Sequence, residues 1–582
     1  MKNPSLPKSE LSAAIWSLRR IFYMTGAFSF FINMLLLVPT IYMLQIYDRV
    51  LTSRNELTLW FITLIMLGMY LLLGAIEGVR SRLLVRAGMR FDDSLNKRVF
   101  TAAFEQNLRA GNASAGQALV DLTNIRQFVT SAGVLAFFDA PWAPIFIAVI
   151  FYIDPMLGWF SIGATIVLVS LALVTELATR RPLADANGAA MNSNRFADDN
   201  LRNAEVIDAM GMLPDLRRRW LARHENHLIL QSVASDRAGF ISSATKFVRL
   251  SVQSLILGLG ALLAIEGKIT PGAMIAGSIL LGRALSPVDL AINTWKALVS
   301  ARASYQRLDE MLARFPARGT GMSLPAPKGE LRVENLMATA PGSQALILRG
   351  FSFAISPGEI VAVIGPSASG KSTLARLLVG VWPPASGKVR LDGADVYLWN
   401  KDELGQYVGY LPQDIELFDG TIAENIARFS EIDPDKVIAA ARRAGVHEMI
   451  LRFPKGYDTP IGRGGSFLSG GQRQRIGLAR SLYGNPSLVV LDEPNSNLDE
   501  AGEAALVQAV MELKSHGKTV IVITHRTSII GVVDKILFLR EGQLQLFGPR
   551  QEVLATLLRA QQQAAQQPAA QGPAAQPIVP AA

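Results

Sequence analysis

Nine consecutive residues, Gly365, Pro366, Ser367, Ala368, Ser369, Gly370, Lys371, Ser372 and Thr373, have the types and spacing of a loop that cradles phosphates. They fit the pattern G-x-x-x-x-G-K-[ST], follow an apolar β-branched run at 360–364 and precede a helix-forming stretch at 374–380. In that setting the glycines let backbone N–H groups turn inward at a helix N-terminus, Lys371 reaches the β and γ phosphates, and the Ser372 hydroxyl can ligate Mg²⁺. A chance glycine turn would explain the residues but not the strand-loop-helix order around them. Farther along, an apolar run at 487–491 ends in Asp492 and Glu493. There Asp492 is placed to hold Mg²⁺ and Glu493 to polarise an attacking water. An acidic pair at a strand end is by itself an ordinary solvated terminus; with the phosphate loop upstream it becomes the second half of a nucleotide site.

Between these two elements stand Leu468, Ser469, Gly470, Gly471 and Gln472, and here the chain resembles the ABC ATPase superfamily, whose signature this is. The rest of that set is present in order: Gln413 in a Leu-Pro-Gln loop, Asp499 in Ser-Asn-Leu-Asp, and His525 after the β-branched run at 519–524. The resemblance implies ATP and Mg²⁺ as ligands. It also implies that Gln413 links the metal and attacking water to the membrane domain, that Ser469, Gly470 and Gly471 grip the γ phosphate with Gln472 also among the nucleotide-binding residues, that Asp499 communicates across a dimer, and that His525 touches the γ phosphate. In this family the signature of one subunit closes over the phosphate loop of its partner. A chain with one of each is therefore expected to act as a homodimer with two composite ATP sites and twelve membrane helices. Two positions depart from the pattern: Ala340 stands where an adenine-stacking aromatic is usual, and Arg463, in the run Gly462, Arg463, Gly464, Gly465, stands where exporters carry Glu.

These residues need a scaffold, and composition shows its kind. The chain has 582 residues, half of them hydrophobic, and the long apolar runs fall in the first 300. Six segments reach the roughly 20 residues that a span requires: 21–44, 57–76, 134–153, 156–177, 250–266 and 272–292. The fifth is the weakest, diluted by Ser251, Gln253 and Ser254. Net charge is +9, with Arg and Lys concentrated in the two long connections, 77–133 and 178–249. This is the loop bias of a membrane protein rather than a basic stripe interleaved with stacking aromatics, so nucleic acid is not an expected partner and membrane lipid is. Both long connections and both termini are then cytoplasmic, and the helix-forming sequence of the connections predicts membrane helices that continue well out of the bilayer. No cysteine is present, which excludes disulfides, thiolate metal sites and a Cys nucleophile. Residues 1–20 lack the pattern of a cleavable secretory signal, so the first apolar run is expected to stay in the mature protein. Asp139 interrupts an apolar run, and its place before Ala140 and Pro141 predicts the N-cap and cytoplasmic start of the third span.

The expected fold is a multi-domain membrane protein: a six-helix all-α transmembrane domain of ABC exporter type followed by an α/β P-loop ABC ATPase domain. Its parts are a cytoplasmic N-terminal segment 1–20, the transmembrane domain 21–314, a Gly/Pro-rich linker 315–329, the nucleotide-binding domain 330–560 and a Gln/Ala/Pro tail 561–582 expected to be disordered. Six spans on the same chain exclude a non-transporting ABC ATPase. Phe137 to Phe146, Asn203 to Gly211, Val381 to Pro384 and Leu491 to Asp499 look like the inner-membrane ATPase of type I secretion systems, the branch that exports proteases and lipases with C-terminal signals. Only 20 residues precede the first span, so no N-terminal peptidase domain is expected. That likeness implies a bacterial inner-membrane location, a periplasmic adaptor (membrane fusion protein), an outer-membrane channel and a secreted protein substrate. The alternative is an ABC exporter of lipids, drugs or small peptides.

Overall fold

The structure, a computed structural model, describes residues 9–110, 115–201, 203–317, 323–341, 343, 345–465 and 467–566. The chain divides near residue 317 into two compact units. In the first, six helices are long and apolar enough to cross a membrane: Arg19–Ser53, Glu56–Arg109, Ala132–Ile153, Pro155–Leu201, Leu213–Ile265 and Pro271–Arg314, here spans 1 to 6. At 1.5 Å per residue, spans 2, 4, 5 and 6 run about 65–80 Å, more than twice a hydrocarbon layer of about 30 Å. In spans 2, 4 and 5 the extra length lies in the Arg-rich connections, where few residues break a helix, and span 6 continues past its apolar part to Arg314. Spans 4 and 6 open on Pro155 and Pro271, whose missing N–H costs nothing at a first position. Span 5 is one unbroken helix, and in its apolar part Ser251, Gln253 and Ser254 sit among enough Leu and Ile to keep it apolar.

Two apolar clusters hold this unit together. One joins Phe146 and Ile150 of span 3 to Leu157 and Leu168 of span 4, Ile256 of span 5 and Leu280 of span 6. The other packs Leu11 of a short helix, Glu10–Ser17, against Phe91 and Leu95 of span 2 and Leu308 of span 6.

Asp139 does not start span 3, contrary to the sequence expectation. The helix begins seven residues earlier at Ala132, where Ser131 is the N-cap and accepts from the Gly133 N–H at 3.2 Å. Asp139 instead precedes a single 3₁₀ turn, Ala140–Trp142, and caps nothing with its side chain. Pro141 and Pro144 cannot donate to the helix ladder, so the chain tightens there without ending. The carboxylate is used across helices. Arg80 of span 2 donates to it at 3.1 Å and Asn33 of span 1 at 3.2 Å, while Arg80 also donates to the buried Ser29 hydroxyl at 3.0 Å. The Arg80 side chain is 8% exposed and Asp139 21%, so deleting either partner leaves a poorly solvated charge. Asp139→Ala is expected to destabilise the membrane unit by about 3 kcal/mol, near the low end for breaking a buried pair, while Arg80→Met with Asp139→Leu lies closer to the native chain. Thermal unfolding in detergent, run as a double-mutant cycle, measures this; additive losses would show that the pair carries no coupling.

The second unit is built on two sheets. A small antiparallel sheet has the order β2-β1-β5-β6 with β3 also on β1, where β1 is Leu331–Thr339, β2 Leu346–Arg349, β3 Phe353–Ile355, β5 Ser386–Leu391 and β6 Ala394–Asp395. The larger sheet has the order β11-β10-β4-β9-β8-β7, from β4 (Ile360–Ile364), β7 (Val408–Leu411), β8 (Leu488–Asp492), β9 (Thr519–Ile523), β10 (Lys535–Arg540) and β11 (Gln543–Pro549). All its neighbours are parallel except β10 and β11. Every residue of β8 and β9 is buried, as expected of strands covered on both faces. The last helix, Arg550–Gln566, runs six residues into the stretch expected to be a disordered tail. Ala and Gln favour helix, and the first breaker in the sequence is Pro568. The rest of that tail, 567–582, lies outside the described residues, as do 1–8 of the N-terminal segment and 318–322 of the linker.

Candidate nucleotide site

Four adjacent parallel strands, β4, β9, β8 and β7, bring their carboxyl ends to one edge of the large sheet, the usual location of ligands in open α/β sheets. The chain after β4 is the phosphate loop. Gly365 has φ +155°, and a Cβ there would lie 2.0 Å from the Leu539 carbonyl of β10, so only glycine lets the loop leave the sheet at this point. The loop ends at Gly370, the N-cap of the helix Lys371–Leu378. Lys371 folds back across the loop and donates to the carbonyls of Gly365 at 2.9 Å and Pro366 at 2.8 Å. Burial holds its ammonium below the usual lysine range, against the pull of the Glu493 and Asp492 carboxylates.

Asp492 ends β8 and is 2% exposed. Burial raises its carboxyl, with the Ser372 hydroxyl opposing and the Glu493 charge adding to the shift. Its Oδ1 is buried without a hydrogen-bond partner, as is the Ser369 hydroxyl. A buried carboxylate oxygen left open beside a serine hydroxyl is the donor set that a hard divalent cation takes, so Mg²⁺ fits here.

Glu493 follows with φ +49°, which turns its side chain out of the strand. Two residues from neighbouring strand ends meet it. Gln413, two residues past β7, donates to one carboxylate oxygen at 3.0 Å, and His525, two past β9, places Nε2 3.7 Å from the other. The three residues named for catalysis from the sequence therefore converge, although 80 and 32 positions separate Gln413 and His525 from Glu493.

The signature residues form a different local structure. Ser469 is the N-cap of the helix Gly470–Leu482 and closes a capping box: its Oγ accepts from the Gln472 N–H at 3.3 Å, and the Gln472 side chain accepts from the Ser469 N–H at 2.9 Å. A Cβ on Gly471 would lie 2.8 Å from the Asn497 carbonyl, so glycine is what lets this helix start lie against the loop after β8. Asp499 caps the next helix, Glu500–Ser515, by accepting from the Gly502 N–H, which holds its carboxyl below the usual range, and it pairs with Arg475 of the signature helix. Among the described residues no hydrogen bond or ion pair joins Ser469, Gly470, Gly471, Gln472 or Asp499 to residues 365–373.

One participant has no counterpart in the sequence reading. Gln474, 1% exposed, donates to the Glu493 carbonyl at 3.2 Å and to Ser496 Oγ at 3.3 Å, and accepts from the Asn497 N–H at 2.8 Å. It fixes the backbone that presents Glu493 to the signature helix, and its only sequence signal is a glutamine on the inner face of that helix. Ala340 follows β1 directly and is half-buried. Arg463 belongs to a short 3₁₀ turn, Arg463–Gly465.

Residues 348–496 match the ABC transporter family and residues 22–286 the ABC transporter transmembrane region. The chain is 45% identical to the type I secretion system ATP-binding protein PrsD of Rhizobium meliloti, over 95% of each chain. It is 30% identical to the leukotoxin export ATP-binding protein LtxB of Aggregatibacter actinomycetemcomitans, over 93% of this chain and 77% of that one. In fold it is similar to a bacterial Atm1-family ABC exporter solved with ATP bound, with a TM-score of 0.80 at 23% identity over 95% of this chain and 99% of the other.

Proposed function

Because the chain belongs to the ABC transporter family, and within it to the type I secretion ATP-binding proteins, we propose that what it exports at the expense of ATP is an unfolded protein of protease or lipase kind, addressed by a C-terminal signal. The observation that carries this reading is the 45% identity to a type I secretion ATPase through the membrane and ATPase regions alike. A lipid, drug or small-peptide cargo has no comparable support. The reading places the chain in a bacterial inner membrane with both termini cytoplasmic, as a homodimer joined to a periplasmic adaptor and an outer-membrane channel.

In the proposed ATPase cycle, residues 365–373 wrap the phosphates with backbone N–H groups, and Lys371 exchanges its two loop carbonyls for β and γ phosphate oxygens. Ser372, Asp492 and Gln413 would hold Mg²⁺, which neutralises charge on the phosphates. Glu493 orients a water at the γ phosphate, with Gln413 and His525 fixing the carboxylate. The water oxygen bonds to phosphorus as the bond to the β-phosphate oxygen breaks, and the water proton passes to Glu493, leaving ADP and phosphate. Ser469, Gly470, Gly471 and Gln472 present a helix N-terminus, which suits the phosphates of the partner subunit's nucleotide.

Co-purification of the full chain from its native membrane after mild cross-linking, read by mass spectrometry, tests the export reading. A periplasm-spanning adaptor recovered in near-equal amount is the expected result. Recovery without an adaptor, together with ATPase stimulation by a lipid or drug, would favour the alternative cargo.

A further inference from the structure

The helix Glu10–Ser17 is closed at one end and open at the other. At its start Arg98 of span 2 pairs with Glu10 at 2.9 Å. At its end, an open cavity of about 480 Å³ lies between this helix and spans 1 and 2, and three exposed guanidiniums line it: Arg19, Arg20 and Arg90. None of the three has a hydrogen bond or ion pair among the described residues, and no carboxylate lines the cavity. Arg19 lies 5.9 Å over the Trp16 ring, which forms part of the wall.

The side chains around this cavity suit a membrane–water interface. Trp16 is 55% exposed, and one turn into span 1 Tyr23 and Met24 are 71% and 54% exposed. On span 2, Val85 and Met89 beside Arg90 are exposed as well. A Trp and a Tyr more than half exposed next to exposed aliphatic side chains are the composition of a membrane–water interface, which is where lipid phosphates lie. Loop charge bias alone asks only for basic residues near the interface; it does not ask for three planar forks facing one space without an acid among them.

We infer that this cavity binds the phosphate headgroup of an anionic glycerophospholipid. The guanidiniums take the phosphate oxygens through paired N–H donors, while Trp16 and Ile21 contact the glycerol end of the acyl chains. The site goes beyond the export reading and does not depend on it, since it needs only a bilayer with phosphate headgroups. Its failure would leave the cargo and adaptor proposals untouched.

The full chain in nanodiscs of phosphatidylcholine with a small fraction of phosphatidylglycerol, exchanged into phosphatidylcholine alone, provides the test, with retained phosphatidylglycerol counted by lipid mass spectrometry. The native chain should retain it, and Arg19→Gln/Arg20→Gln/Arg90→Gln should retain about tenfold less. Basal ATPase in phosphatidylcholine alone should be the same for both. Should the triple variant fold poorly, Arg90→Gln should still lose part of the retention and Arg90→Lys less. Equal retention by native and variant chains would overturn the site. Displacement of phosphatidylglycerol by millimolar inorganic phosphate would identify a free anion as the ligand and overturn the lipid assignment.

Discussion

A Glu493→Gln chain should bind ATP as the native chain does and lose about 10²-fold or more of its turnover, the usual scale for removing a positioned general base. The substitution keeps the size of the side chain and leaves in place Lys371, Ser372 and Asp492, the residues proposed to hold the phosphates and Mg²⁺, so binding should persist. What disappears is the carboxylate on which Gln413 and His525 converge from the ends of β7 and β9. Lys371→Ala should fail earlier, at binding, because the ammonium folded over the loop is lost. Steady-state ATPase and equilibrium ATP binding on the same preparations separate the two. Native turnover by the Glu493 variant would mean that another group, such as His525 or the phosphate itself, orients the water. Gln474→Ala provides an internal comparison: the carboxylate stays but the carbonyl behind it loses a buried donor, so turnover should fall less than in Glu493→Gln while ATP affinity holds.

How much of this was readable in the sequence depended on whether the governing interaction is local. The phosphate loop is legible because strand, glycine turn and helix are consecutive, and the spans are legible because an apolar run of that length has few other places to go. The convergence of Gln413 and His525 on Glu493 was foreseeable only through family likeness, since nothing near either residue shows that β7, β8 and β9 are neighbours. Asp139 was misread for the same reason. An acid before a proline is a local cap signal, but a guanidinium 59 residues away offers a stronger partner, and Ser131 takes the cap. Gln474 was missed because its environment is tertiary: in sequence it is one more polar residue after the signature, and only the fold aims its amide at the loop after β8. Low complexity does not by itself tell disorder from helix: Ala and Gln extend a helix readily, and the last helix runs to Gln566.

A covalently linked dimer can show whether the signature serves its own chain's phosphate loop or its partner's. In one linked form Lys371→Ala sits in the first half and Ser469→Arg in the second; in the other form both changes sit in the first half. If sites are composite, the split form keeps one whole site, made from the second half's loop and the first half's signature, and the other form keeps none. If each chain hydrolyses ATP alone, the order reverses, because the split form damages both halves and the other form leaves one half whole. The local structure favours the composite outcome. The capping box already satisfies Ser469 and Gln472 within their own helix start, Asp499 is engaged by Arg475, and no bond ties this group to residues 365–373 of the same chain. With those two N–H groups used in the capping box, the Gly470 and Gly471 N–H groups at the helix N-terminus are left as donors for an anion. Arg in place of Ser469 would put a bulky cation at that N-terminus and remove the cap, worth about 1 kcal/mol, so stability of the variant should be checked alongside. Vanadate-trapped nucleotide, counted per linked dimer, should therefore be one in the split form and none in the other, and the reverse count would show that each chain completes its own site.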